Sequence, residues 1–246
     1  MKIDEDERID DLGLYGLKII QNKNWFCFGM DSVVLSDFAK NIKKGAKVLD
    51  LGTGNGILPI LLCGKTLLSE IVGVEIQSKV CNLARRNIEL NNLQNRFSVI
   101  EENIKNLDEK FEPSSFDAVV TNPPYKKANT GIQNEEYEKL IARHEIECNI
   151  EDIARVSSKL LKNQGELYMV HRPERLVDII YNLRKFKIEP KVLRFIQGKE
   201  NKNPNLVLIK AVKNGGSFME VLPPLVVYNE DGSYTSQMEQ IHGKKE

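Results

Sequence analysis

The residues best suited to do chemistry stand in two short runs. The first is Asp50, Leu51, Gly52, Thr53, Gly54, Asn55, Gly56; the second is Asn122, Pro123, Pro124, Tyr125. In the first, glycines at alternate positions let the backbone come close to a ligand, and the free N–H groups at the start of a following helix point at it. A tight strand-to-helix turn also needs glycine for its own backbone, so the run takes its meaning from its surroundings. Glu75 supplies them, because it closes the next apolar run at the spacing where a carboxylate reaches the two hydroxyls of a ribose. The dinucleotide fingerprint G-x-G-x-x-G would need its last glycine at position 57, which is Ile57, whereas the third glycine here comes one place early, at Gly56. Asp50, ahead of the first glycine, suits a cationic methionine moiety. Together these features favour S-adenosylmethionine over a nicotinamide dinucleotide.

In the second run two prolines lock the backbone and remove N–H donors, which leaves fixed carbonyl oxygens. The Asn122 side-chain oxygen and the Pro123 carbonyl can then accept both hydrogens of one amine, while Tyr125 offers a flat face for stacking. An exocyclic amine is a poor nucleophile because its lone pair is delocalised into the ring. Accepting both hydrogens aims that lone pair and accommodates the positive charge that grows on nitrogen during transfer. The same four residues alone would read as a turn after a strand; behind a glycine run of this form they read as a site.

These runs need elements to carry them. Residues 46–51 form a short apolar run that predicts a strand, 57–63 an apolar helix start, and 71–75 a second strand. Residues 78–91 have Val80, Leu83, Ala84, Ile88 and Leu90 at amphipathic helical spacing. A third strand is expected at 97–100 and a fourth at 116–121, delivering Asn122 beside the glycine run. Strands alternating with helices in this way specify a parallel sheet covered on both faces. Residues 126–147 are polar and read as a loop with a helical piece. A helix at 150–161, a strand at 165–170, a helix at 173–186 opened by Pro173, and two last strands at 188–196 and 206–212 paired antiparallel complete the core. Upstream, residues 1–11 read as a charged, frayed tail, 14–28 as a hairpin turning at 22–24, and Asp31 as the N-cap of a helix over 31–40. Residues 215–246 read as an extended arm with a turn at Asp231 and Gly232.

The acidic-x-G-x-G-x-G run, with an acid ending strand two, resembles the class I S-adenosylmethionine-dependent methyltransferases. That resemblance implies an α/β, Rossmann-like, doubly wound sheet of seven strands, mostly parallel with the last antiparallel. It also implies a cofactor site at Asp50, Gly52, Gly54, Gly56 and Glu75. In that family the acidic end of strand three contacts the adenine ring; here Asn103 stands in place of the usual aspartate, with Ile104 beside it, and an amide donates as well as accepts. The N-P-P-Y tetrapeptide resembles amino-methyltransferases acting on adenine, on guanine or on a glutamine amide, which transfer directly to nitrogen without a metal. Asn122, Pro123, Pro124 and Tyr125 are thereby the implied catalytic residues, with Asn122 also at the cofactor. The stretch from Gln21 through Trp25 and Phe28 to Asp31 and Leu35 resembles the segment preceding the fold in bacterial tRNA(Val) adenine-N6-methyltransferases, where an aromatic strand and an aspartate-led helix close over the cofactor. It adds Asp31 to the cofactor site and makes a tRNA the implied partner. The implied domains are an N-terminal extension at 1–41, a catalytic domain at 42–214 and a C-terminal arm at 215–246.

Release-factor glutamine methyltransferases carry a long helical domain ahead of the core, where only the residues before Ala46 stand here. Ribosomal guanine methyltransferases of the related small-domain family often have phenylalanine after the prolines and a duplicated domain. A cofactor-binding module that has lost its chemistry and serves RNA interaction or assembly would not need the intact tetrapeptide.

Composition sets the frame: 246 residues, 41% hydrophobic and 28% charged, suffice for one α/β domain with a substantial core. Lys plus Arg and Asp plus Glu balance at 35 each, so any preference for RNA is local. Arg172, Arg175, Arg184, Lys185, Lys187, Lys191 and Arg194, opposed by Glu174, Asp178 and Glu189, read equally as a phosphate-contacting face and as a solvated helix face. Arg143, His144 and Glu145 read first as part of a surface helix and second as candidates for the substrate entrance. Cys27, Cys63, Cys81 and Cys148 include no C-x-x-C pair and read as reduced thiols, not as a zinc site. The acidic N-terminus lacks an apolar signal core and no apolar run approaches a membrane span, so a cytoplasmic protein without a membrane partner is expected.

Overall fold

The computed structural model describes residues 3–25, 29–123 and 149–243. In chain order its elements are β1 (Glu7–Asp11), β2 (Lys18–Asn22), α1 (Met30–Phe38), β3 (Lys47–Leu51), α2 (Ile57–Lys65), β4 (Glu70–Glu75), α3 (Ser78–Leu90), β5 (Phe97–Glu101) and α4 (Leu107–Lys110). There follow β6 (Phe116–Thr121), α5 (Ile150–Leu160), β7 (Leu161–His171), α6 (Leu176–Lys185), β8 (Ile188–Gln197), β9 (Leu206–Lys213), β10 (Glu220–Val226) and α7 (Ser236–Ile241).

The main sheet runs β10-β8-β9-β7-β6-β3-β4-β5. Neighbours from β7 to β5 are parallel, β9 is antiparallel to both β7 and β8, and β10 runs parallel to β8. The strands hold because successive residues feed opposite faces. Val48, Ile71, Ala118 and Val120 join the core under α1, α2, α3 and α7, while Leu49, Val72 and Val119 join the core under α5 and α6. Both faces are therefore covered, as an alternating strand and helix pattern requires.

The doubly wound, mostly parallel class expected from the sequence is the one observed, with one correction: among the described residues the sheet has eight strands, not seven. The additional strand, β10, comes from the segment read as an extended arm. It carries Pro223 and Pro224, which an edge strand tolerates because one side of its backbone needs no partner, and its register shifts across them.

The N-terminus is also corrected. β1 and β2 form an antiparallel hairpin, so residues 7–11 are not frayed and the hairpin turns at 12–17, not at 22–24. Gly13 and Gly16 take left-handed φ values of 65° and 70° in that turn, and Leu12, Leu14 and Leu17 are buried beneath it. α1 begins at Met30 from an extended Gly29, so Asp31 lies in the first turn and is not the N-cap; its carboxylate still stands at the positive end of the helix.

Candidate functional site

From β3 the chain moves outward through β4 and β5, then returns to the other side of β3 with β6. The carboxyl edge at such a switch point is where open α/β sheets take ligands. At this edge lie Asp50 and the glycine turn after β3, Glu75 at the end of β4, Asn103 after β5 and Asn122 after β6.

Gly52, Gly54 and Gly56 have φ values of 75°, 56° and 86°, a region that strains any other L residue. They differ in what surrounds them. A Cβ on Gly56 would stand 2.9 Å from the Phe97 ring, whereas one on Gly52 or Gly54 would meet nothing within 4 Å. The turn is thus packed at the head of α2 and open along its outer rim. It hangs from β4: the N–H groups of Gly52 and Thr53 donate to the Val74 carbonyl at 3.0 and 2.9 Å, and the Gly54 N–H donates to Glu75 Oε2 at 3.1 Å. Glu75 Oε1 accepts from the Gln77 N–H at 2.9 Å. This buried acid latches the turn, and each carboxylate oxygen retains capacity for a further hydrogen bond.

Asp50 is buried, and neither its Oδ2 nor the Thr53 hydroxyl has a hydrogen-bond partner among the described residues. Burial pushes its carboxyl up to about 7 against the opposing pull of the nearby Thr53 hydroxyl, and the charge of Glu75 adds a smaller rise. A cation at this point would relieve both effects. Asn103 uses Oδ1 to accept the Lys105 N–H at 2.9 Å and so starts a single 3-10 turn, Ile104–Asn106. Its donor end, which aspartate would lack, is what it can present to a ring. Ile104 packs partly buried beside it. An open rim, a buried acid with one unsatisfied oxygen and a ribose-spaced carboxylate fit S-adenosylmethionine as the group the sequence implies.

The Thr121 hydroxyl donates to the Leu51 carbonyl at 2.9 Å and ties the end of β6 to the glycine turn. Next to it, Asn122 Nδ2 donates to the Ser32 hydroxyl of α1 at 3.2 Å. With its donor end so engaged, the amide has Oδ1 to offer an incoming donor. Pro123 is buried; Pro124 and Tyr125, like Arg143, His144 and Glu145, lie outside the described residues. Asp31 immediately precedes Ser32, in the first turn of α1. Ser32 was not singled out from the sequence: a serine inside an apolar helical stretch gives no local sign of a partner ninety positions away. Asn87 was also missed, although a polar residue on the buried stripe of α3, between Ala84 and Ile88, is the kind of signal that demands a partner.

The cluster of basic residues after β7 is largely committed within the chain. Arg175 pairs with Asp178 at 2.9 Å, Arg184 with Glu189 at 3.1 Å and Lys185 with Glu151 at 2.7 Å. Arg172 donates to the Asn205 carbonyl, Lys191 to the carbonyls of Gly216, Ser217 and Phe218, and Arg194 to that of Pro223. This is a surface of satisfied ion pairs more than a free phosphate face. Cys63 and Cys81 are buried and free; Cys27 and Cys148 lie outside the described residues. Among the described residues no group of three or more His, Cys, Asp or Glu is arranged to hold a metal, and no helix is long and apolar enough to cross a membrane.

Strand order and the glycine turn at the carboxyl edge define a Rossmann-like methyltransferase fold. Solved structures agree: the Agrobacterium tumefaciens protein Atu636, described as a predicted O-methyltransferase, superposes with a TM-score of 0.71 at 18% identity over 87% of this chain and 96% of its own. M. jannaschii TYW2 in complex with AdoMet superposes at 0.56 with 16% identity, over 86% and 88% of the two chains. Residues 28–180 match the methyltransferase small domain family, and the chain belongs to it. Curated relatives include the tRNA1(Val) (adenine(37)-N6)-methyltransferase of Porphyromonas gingivalis, 25% identical over 73% of this chain and 72% of that one. The protein of the same name from Haemophilus influenzae is 27% identical over 88% and 90%.

Proposed function

We propose that this chain transfers a methyl group from S-adenosylmethionine to the exocyclic N6 amine of an adenine in tRNA. The observation that carries the reading is the Asn122 amide at the end of β6, joined to the glycine turn through Thr121 and held by Ser32 so that its acceptor oxygen serves a donor such as an amine. Adenine is preferred over guanine or a glutamine amide because the relatives that align along most of the chain bear that name. A tRNA substrate implies action in the cytoplasm.

In this reading Gly52, Gly54 and Gly56 cradle the cofactor, Glu75 takes its ribose hydroxyls, Asp50 takes the methionine ammonium group, and Asn103 and Ile104 meet its adenine. Asp31 approaches from α1. When bound, S-adenosylmethionine supplies an electrophilic methyl group on a sulfonium. Asn122 Oδ1 and the Pro123 carbonyl accept the two hydrogens of the target amine, which localises its lone pair and offsets the charge developing on nitrogen. Tyr125 stacks on the target ring, for which base-stacking aromatics contribute about 1–3 kcal/mol.

The test is incubation of the purified protein with isotopically labelled S-adenosylmethionine and total tRNA, followed by nucleoside mass spectrometry. Labelled N6-methyladenosine is expected. Label in methylguanosine, or none in any nucleoside, would overturn the substrate assignment.

A further inference from the structure

The N-terminal hairpin is docked on α3 by two asparagines one helical turn apart, each reading the backbone of a β2 residue through both ends of its amide. Asn91 Oδ1 accepts the Lys18 N–H at 2.8 Å while its Nδ2 donates to the Lys18 carbonyl at 2.7 Å. Asn87 Oδ1 accepts the Ile20 N–H at 2.6 Å and its Nδ2 donates to the Ile20 carbonyl at 3.1 Å. The spacing of four on the helix meets the spacing of two on the strand, so each amide stands opposite one outward-facing peptide pair. Immediately before Asn87, Arg86 holds Glu7 of β1 through two contacts of 2.7 Å, and that pairing keeps the Glu7 carboxyl below the usual carboxylate range.

The two asparagines differ in one respect. The second Asn87 donor goes to the carbonyl of Asn55 at 2.9 Å, at the back of the glycine turn, whereas that of Asn91 goes to the helix carbonyl of Asn87 itself. Asn55 lies between Gly54 and Gly56, whose left-handed backbones leave the turn little intrinsic stiffness. Its front is latched by Glu75 on the Gly54 N–H, and Asn87, fully buried, fixes its back.

We propose that Asn87 is a positioning residue that couples the docked hairpin to the cofactor turn, holding Gly54, Asn55 and Gly56 in the binding shape through the Asn55 carbonyl. This rests on the glycine turn being the cofactor site. A residue that merely glued the hairpin to α3 would behave like Asn91, which is therefore the internal control.

Two measurements decide it. In the unsubstituted protein, saturating S-adenosylhomocysteine should slow exchange of the Ile20 amide hydrogen about tenfold more than that of Lys18; equal slowing of both would overturn the proposal. By calorimetry, Asn87→Ala should raise the Kd for S-adenosylhomocysteine about tenfold or more while Asn91→Ala changes it less than threefold, the loss of melting temperature being read for both. Equal changes in Kd would likewise overturn it. Should Asn87→Ala fail to fold, the exchange measurement stands alone. No binding by the unsubstituted protein would instead sink the cofactor reading and take the proposal with it, an outcome distinct from the other two.

Discussion

Asn122 and Asp50 end adjacent strands, and their surroundings fit them for opposite tasks. Asn122 keeps its donor on Ser32 and is expected to act on the transition state, so Asn122→Ala should lower turnover roughly 100-fold or more with cofactor affinity nearly intact, as for loss of one transition-state hydrogen-bonding group. Normal turnover on tRNA would reduce the tetrapeptide to a turn. Asp50 is an acid held protonated by burial up to about pH 7, far above its usual 3.8. Between those values the folded protein keeps a proton that the unfolded chain has lost, so this group makes stability fall as pH rises from about 4 to about 7. Asp50→Asn should flatten that part of the stability profile. The same titration governs binding of a cation: below about pH 7 cofactor binding must expel the proton, so affinity should rise with pH and level off above it, by at most about tenfold per unit. Calorimetry in two buffers of different ionisation enthalpy would detect the proton released; a pH-independent Kd would separate Asp50 from the methionine ammonium group.

At the scale of elements, the glycine turn joins two demands that substitution can separate. Gly56→Ala meets both a left-handed backbone and the Phe97 ring, so stability should fall by more than the roughly 1–2 kcal/mol of the backbone term alone, several degrees of melting temperature for a chain of this size. Gly54→Ala meets the backbone cost and open space, so it should spare more of the stability yet weaken the cofactor, whose room the new methyl group takes. Equal melting temperatures for the two variants would contradict this division. The turn was legible in the sequence because its residues are consecutive and the buried strands on either side read as unbroken apolar runs. The hairpin was misplaced because what fixes it is remote: the partner of Glu7 is Arg86, and β2 is read by Asn87 and Asn91. β10 was missed because Pro223 and Pro224 argue against any central strand, and nothing local says that this strand lies at an edge. Asn122 was singled out by its own tetrapeptide, but its contact with Ser32 joins segments that only the fold brings together.

At the scale of the molecule, the last segment belongs to the core that supports the site. Leu225 and Val227 from the β10 region and Met238 and Ile241 from α7 are buried in the same cluster as Leu35 of α1 and Ile60 of α2. Half-buried Lys65, at the end of α2, donates to the Ile241 carbonyl at 3.2 Å, and Tyr234 is sandwiched between Tyr228 and His242. At about 1.5–3 kcal/mol for each buried aliphatic side chain, these four contribute on the order of 6–12 kcal/mol, against a typical total stability of about 5–15 kcal/mol. Removing β10 also uncovers the edge of β8, a strand of ten residues whose exposed backbone would invite pairing with other chains. A chain ending at residue 214 should therefore lack a cooperative melting transition and aggregate, while Met238→Ala in the full chain should cost about 2–5 kcal/mol and leave a folded protein with S-adenosylmethionine affinity largely retained. The comparison is made by circular dichroism melting and light scattering on both. A truncated chain melting cooperatively within a few degrees of the full one would mean that the segment covers the sheet without supporting it.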